Sequence, residues 1–426
     1  MPYRAVRFVT YLATVLLVQR SAVAAAGFWS LEKDVHGKWW ARTPSGVRTV
    51  LRGVDWVCYC GFPCEVDGNV CHYREWNDRH YGTRAEWERE TLSRLHDWGF
   101  NLLGVGHDAS LRHRGFAHAW DVDFGTEFGK ALSQEDERWI VPYRKAPCTA
   151  LPNVFHPDFE TYCDKRAAEV CTSHKDDRDL FGWFLDNELC WWANGSFQTW
   201  SGAYDRCLEK TSGSSARRAA EAFAKSHPQL SDEALASAFL GHVADRYFEV
   251  TTRAIRRHDP NHLILGCRFA GIDGASSEVW KAAGRYVDCL TFNCYPTVDL
   301  EHHVVTYNGH RIEELFGERY AWSGKPMFVT EWGFSAYDSG LPCTHGSGQR
   351  FKTQRERAVA TELCAKMFLS LPCLIGYNFF MWVDEPKNGI SKLFPENTNY
   401  GLVNERGVPY SKVTSALSRV HAGCVR

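Results

Sequence analysis

The chain is expected to fold as an α/β protein: a (β/α)8 TIM barrel with a short N-terminal β-hairpin and long disulfide-bearing loops on its catalytic face. Three observations predict this. Short apolar runs alternate with amphipathic helical segments along most of the chain, which implies parallel strands covered on both faces. Eight such runs are present. No G-x-G-x-x-G or phosphate-binding loop follows the first run, which removes the usual marker of a doubly wound open sheet.

The expected strand runs are Thr49–Val57, Phe100–Val105, Trp139–Val141, Leu180–Leu185, His262–Cys267, Val287–Phe292, Pro326–Thr330 and Leu374–Phe380. Helices fill the gaps. Thr83 and Glu86 form a capping box ahead of an apolar stripe at Trp87, Leu92 and Leu95, and Gly99 stops that helix. Pro157 opens a helix over Phe159–Val170. Ser231 starts another that runs to Arg257, and Arg355–Leu369 is a fourth. The segment Phe28–Gly46 reads as a hairpin across the barrel floor, with Trp39 and Trp40 as structural aromatics.

Of 426 residues, 49 are Lys or Arg and 51 are Asp or Glu. That balance excludes a protein that holds polyanions, nucleic acid included, by bulk positive charge. No apolar run reaches the ~18 residues of a membrane-spanning helix. Arg4 and Arg7, the apolar run Phe8–Val18 and the small residues Ser21–Ala26 have the layout of a secretory signal peptide. The expected organisation is therefore a signal peptide over 1–26 and one catalytic domain over 27–426, secreted.

Export makes disulfides the expected use of the 16 cysteines. Bridges are expected among Cys58, Cys60, Cys64, Cys71, Cys148, Cys190, Cys207 and Cys343. Cys58-x-Cys60-x3-Cys64-x6-Cys71-His72 also admits a zinc reading, but it lacks a paired C-x2-C. Cys267, Cys289 and Cys364 sit in apolar runs and read as buried thiols. Asn194-Gly195-Ser196 is an N-glycosylation sequon.

In a barrel, chemistry gathers at the C-terminal ends of the strands. Phe181-Gly-Trp-Phe-Leu-Asp-Asn187-Glu188 and Met327-Phe-Val-Thr-Glu331 are both apolar runs ending in a carboxylate. A carboxylate at the end of a buried strand needs a partner or a role. Two that converge are what glycosidic bond cleavage requires.

The ordered set of motifs resembles clan A glycoside hydrolases, with agarase-like and cellulase-like members. It comprises Gly37-Lys38-Trp39-Trp40, Arg52-Gly53-Val54-Asp55, Asn187-Glu188, Asp259-Pro260-Asn261-His262, Asn293-Cys294-Tyr295, Glu331, Phe380-Met381-Trp382 and Asn399-Tyr400-Gly401. The resemblance covers about Trp29 to Tyr410. It implies a retaining β-glycosidase acting on an oligo- or polysaccharide, with no metal or organic cofactor. Glu188 would be the acid/base and Glu331 the nucleophile. Asn187 would bind the sugar 2-hydroxyl, Tyr295 would donate to Glu331, and Trp382 would lie under the reacting sugar. Clan members place an Arg at the end of strand two to bind the nucleophile. Here His107 and Asp108 stand there, so these two, or Arg52 reaching across from strand one, would replace it; Arg52 also reads as a solvated or paired structural residue. Trp191, Trp192 and Trp200 are read either as sugar platforms or as loop packing. His156 and Asp384 read as a polar contact and a turn. A noncatalytic carbohydrate-binding barrel, a transglycosylase using the same residues and a metal-dependent hydrolase are the rival readings. The last would draw on His107, Asp108 and His156.

Overall fold

The computed structural model describes residues 27–130, 137–142, 150–192 and 201–424. Met1–Ala26, Cys148, Asn194 and Trp200 lie outside the described residues, and with them the expected signal peptide and sequon.

Eight parallel strands form one curled sheet. They are β1 (Leu51–Val54), β2 (Leu102–Leu103), β3 (Ala117–Asp121), β4 (Leu180–Phe184), β5 (Leu263–Ile264), β6 (Leu290–Asn293), β7 (Met327–Glu331) and β8 (Leu374–Phe379). Their order across the sheet is β5-β4-β3-β2-β1-β8-β7-β6. The strands alternate between two apolar environments, as a pleated backbone with period two requires. Leu51, Leu102, Ala119, Phe181, Leu265, Phe328 and Ile375 pack inside the curl. Val54, Leu103, Trp183, Ile264, Val329 and Tyr377 pack outward under the helices.

This architecture corrects the expected closed (β/α)8 TIM barrel. The hydrogen-bonded ladder ends at β5 and β6, which are linked by the isolated bridge Phe269–Phe292 and the Asp288 N–Ile264 O bond of 2.9 Å. The connection from β2 to β3 carries a 3-10 turn, Ala109–Leu111, in place of an α-helix. Four small sheets accompany the curled one. The third strand also differs from expectation. Trp139–Val141 pairs antiparallel with Leu151–Pro152 in a two-stranded sheet, and Ala117–Asp121 takes the third place. The sequence Ala-His-Ala-Trp-Asp lacks the β-branched residues that usually mark a strand.

The helical readings hold to within a few residues. Arg84–Asp97 is capped by the reciprocal Thr83–Glu86 box, and Gly99 follows at φ 77°. Phe159–Cys171, Asp232–His258 with Ser231 as cap, and Gln354–Ser370 complete the set. The N-terminal segment folds as three antiparallel strands, Ser30–Lys33, Trp39–Arg42 and Arg48–Thr49. Trp29 meets Phe181 edge-on at 5.5 Å, and Trp39 N donates to Pro372 O at 2.8 Å, just before β8. These strands therefore cover the amino-terminal end of the curl.

No disulfide joins two described cysteines, so the bridges expected among Cys58, Cys60, Cys64, Cys71, Cys190, Cys207 and Cys343 do not form there. Cys267, Cys289 and Cys364 are buried as expected. No described helix is long and apolar enough to cross a membrane.

Candidate active site

The carboxyl ends of β1, β3, β6 and β7 converge on one arginine. Arg268 follows β5 and is 3 % exposed. Its Nη2 donates to Glu331 Oε1 at 2.6 Å, and its Nη1 donates to Asp121 Oδ2 at 3.2 Å. Asp55 Oδ2 lies 3.6 Å from Nη2. Asp55 is held in turn by Asn378 Nδ2 at 2.8 Å and by Val105 N at 3.0 Å. The second oxygen of Glu331 accepts from the Tyr295 hydroxyl at 2.9 Å. Glu331 thus carries one donor on each oxygen.

Glu188 reaches the same end of the sheet from the loop after β4. Its backbone N donates to Arg268 O at 3.1 Å, and both residues have positive φ, 52° and 39°. Such angles cost about 1–3 kcal/mol for non-glycine residues and persist where the surroundings impose them. Here the surroundings include Asp186, which ties the start of the loop down. It accepts from Gly125 N at 2.6 Å, Thr126 N at 2.8 Å and the Tyr247 hydroxyl at 2.6 Å. Asn293, at the end of β6, ties Glu188 to the strand that carries Glu331. Its Nδ2 donates to Glu188 Oε1 at 2.7 Å, and its Oδ1 accepts from Thr330 Oγ1 at 2.8 Å. Thr330 immediately precedes Glu331, and the Glu188 carboxylate, as acceptor, faces the Asn293 amide nitrogen and leaves its oxygen to the Thr330 hydroxyl. Asn293 Nδ2 also lies 3.4 Å from Asn187 Oδ1.

Electrostatics follow from burial. Burial pushes the Glu331 carboxyl up, to about 7, with Arg268 pulling it down, Glu188 adding to the rise and Tyr295 opposing it. Burial also raises Asp55 and Asp121, again against Arg268. One guanidinium faces Asp55, Asp121, Glu331 and Glu188. That surplus of carboxyl groups makes the site favour positive charge on whatever occupies it.

The structure brings together four of the sequence-predicted site residues: Glu188, Glu331, Asn187 and Tyr295. It places the others elsewhere. Trp382 is fully buried, and its Nε1 donates to the Tyr73 hydroxyl at 3.0 Å, so its ring belongs to the core. Trp191 is buried against Phe248, with ring centroids 5.9 Å apart. Arg52 donates to Gly99 O at 2.7 Å and Val50 O at 3.2 Å, away from Glu331. His107 bonds Gly104 O through Nδ1 at 2.6 Å and accepts from Arg112 Nε through Nε2 at 2.9 Å. Asp108 accepts from Tyr59 N, and His156 accepts from Asp158 N. Asp384 is buried and accepts from Asn399, Gly401 N and the Tyr410 hydroxyl.

Sequence reasoning missed Arg268, Asp55, Asp121 and the linking role of Asn293. Arg268 directly follows the apolar run His262–Cys267, so the strand-end rule that selected Glu188 and Glu331 applies to it equally. The family resemblance points instead to the end of strand two, or to Arg52 on strand one, for the arginine that holds the nucleophile.

No family model matches this chain. Two curated proteins of Vibrio sp. (strain JT0107) are similar to it. Beta-agarase A is 25% identical over 378 residues, and beta-agarase B is 24% identical over 371. The matched stretches cover 79% and 78% of this chain but only 36% of each relative, so the chain spans little more than a third of their length. Among solved structures, an agarase superposes with a TM-score of 0.76 at 23% identity, covering 94% of this chain and 64% of the other. An exo-beta-agarase gives 0.74 at 19%, covering 94% and 65%. A β-galacturonidase from Eisenbergiella tayi gives 0.51 at 13%, covering 93% and 54%. These likenesses establish a shared fold, carried in each case within a longer chain.

Proposed function

We propose that this protein is a secreted glycoside hydrolase that cleaves β-glycosidic bonds in a galactan of the agarose type by double displacement. One observation carries the proposal. Glu331, bracketed by Arg268 and Tyr295, and Glu188, held by Asn293, stand at the same end of one sheet. The sequence likeness to two beta-agarases supports the substrate class.

In the first step a Glu331 oxygen attacks the anomeric carbon while the bond to the departing oxygen breaks. Glu188 gives its proton to that oxygen. Arg268 and Tyr295 keep charge on Glu331 and aim it. The carboxyl-rich surroundings favour the positive charge that builds on the sugar ring. In the second step Glu188 takes a proton from water, and the water oxygen displaces Glu331 from the anomeric carbon. In this reading Asn187 binds the 2-hydroxyl, as the family resemblance implies. Export rests on the leader layout of residues 1–26, and the secreted protein should begin near Gly27.

The test is hydrolysis of agarose, other galactans, mannan and glucan by the wild type, Glu188→Ala and Glu331→Ala. Loss in both variants, azide rescue of one, and a product first released with the substrate's anomeric configuration are expected. Binding of agarose with no hydrolysis by the wild type would favour the noncatalytic carbohydrate-binding reading.

A further inference from the structure

We propose a second site, at the opposite end of the sheet from Arg268, that binds a zinc-class divalent ion through His113, His118, Asp177 and Asp179. His118 lies in β3, three residues before Asp121, and a strand advances about 3.3 Å per residue. It therefore stands about 10 Å from the catalytic end of its own strand. Asp177 and Asp179 lie in the turn that leads into β4, the hydrogen-bonded neighbour of β3. His113 comes from the connection between β2 and β3, which carries a 3-10 turn and no α-helix.

The ligand atoms are already gathered. His118 Nε2 is 3.0 Å from Asp177 Oδ2. His113 Nδ1 is 3.6 Å from Asp177 Oδ1 and 3.2 Å from Asp179 Oδ2. The chelating atoms of His113, His118 and Asp177 all fall within 4.8 Å of one another. In a tetrahedral zinc site with bonds of about 2.0–2.1 Å, neighbouring ligand atoms are separated by about 3.3 Å. The observed spacings straddle that value. Two imidazoles and two carboxylates suit zinc over calcium or magnesium, which prefer all-oxygen shells.

Two features distinguish this arrangement from ordinary surface ion pairs. His118 is 1 % exposed, so one ligand is fixed by the sheet. Asp177 is anchored as well: its backbone O accepts from His262 Nε2 at 2.6 Å. His113 and Asp179 stand out in solvent, with side chains 61% and 48% exposed. Arg112 stacks over the Trp120 ring at 3.8 Å and donates to His107, while its charge also acts on Asp177 and His118. A bound ion would clip the β2–β3 connection to the β3–β4 turn, the place where the sheet lacks a covering helix. Its role is structural, and it takes no part in hydrolysis.

The test is calorimetric titration of the full chain with zinc chloride after chelator treatment, followed by cobalt(II) substitution. One ion per chain is expected, with binding at least tenfold weaker in His113→Ala and in Asp179→Asn. Both residues are outside the core, so the variants should fold. Zinc should raise the melting temperature of the wild type and not of His113→Ala. The bound cobalt should lack the intense thiolate charge-transfer band. Absence of binding overturns the proposal. So does binding that is unchanged in His113→Ala, or a thiolate band, which would place the ion on the cysteines near Cys64.

Discussion

Arg268→Met is the sharpest perturbation of the site. Methionine keeps the apolar stem and deletes the charge that faces Glu331, Asp121 and Asp55. Removing one partner of a buried charge cluster costs about 3–5 kcal/mol, because carboxylates are left without a counter-charge. At about 2.1 cal/mol/K per residue over roughly 380 ordered residues, the unfolding entropy is about 0.8 kcal/mol/K, so the loss corresponds to about 4–6 °C in melting temperature. The pH dependence is the discriminating part. Burial already raises all three carboxyls in the folded chain, with Arg268 opposing. Without Arg268 they rise further, so the folded state binds more protons than the unfolded state. Stability then falls as pH climbs above the ordinary carboxylate range. The deficit should be small below about pH 7, where the wild-type Glu331 carboxyl is itself protonated, and should widen as pH climbs above that value, as read by thermal melts from about pH 5 to about pH 9. A variant that melts within a degree of the wild type, or whose deficit is flat with pH, would refute the counter-charge argument.

Glu188→Gln should lower kcat by about 10²–10⁴, the usual worth of a positioned general acid, with little change in melting temperature. Aryl glycosides with good leaving groups should lose less, since they need no proton. Tyr295→Phe removes one donor from Glu331, so the acidic limb of the kcat/KM profile should move to higher pH, with kcat down about tenfold or more for a bond to a charged group. In the wild type that limb should fall as pH drops through about 7, because Glu331 must be ionised to attack and burial raises it to that value. A profile flat from about pH 8 to about pH 5 would contradict the assignment. Trp382→Ala should cost about 3–5 kcal/mol of stability through a core cavity. An effect confined to KM, with stability unchanged, would return Trp382 to the substrate.

How much was legible in the chain can be judged residue by residue. The Thr83–Glu86 cap and the Ser231 cap were readable because a cap involves residues three apart and is decided locally. Glu188 and Glu331 were readable because each ends an apolar run, a pattern that one strand carries alone. Trp382 was misread because a tryptophan after a strand looks the same whether its ring faces a cleft or meets Tyr73. Ala117–Asp121 was missed because its strand identity comes from its neighbours Leu102 and Leu180, not from its own propensity.

The amino-acid order by itself determined the alternation of apolar runs and helices, the helix ends and the two strand-end glutamates, since each depends on residues within a turn or two of one another. Tertiary structure decided the rest. It set which strand lies third and left the sheet curled without a closing ladder. It made Arg268 the partner of Glu331, and it drew His113, His118 and Asp177 together. Each of those outcomes joins segments tens of residues apart, and such pairings are settled by packing and by the cost of burying charge, to which no local pattern responds.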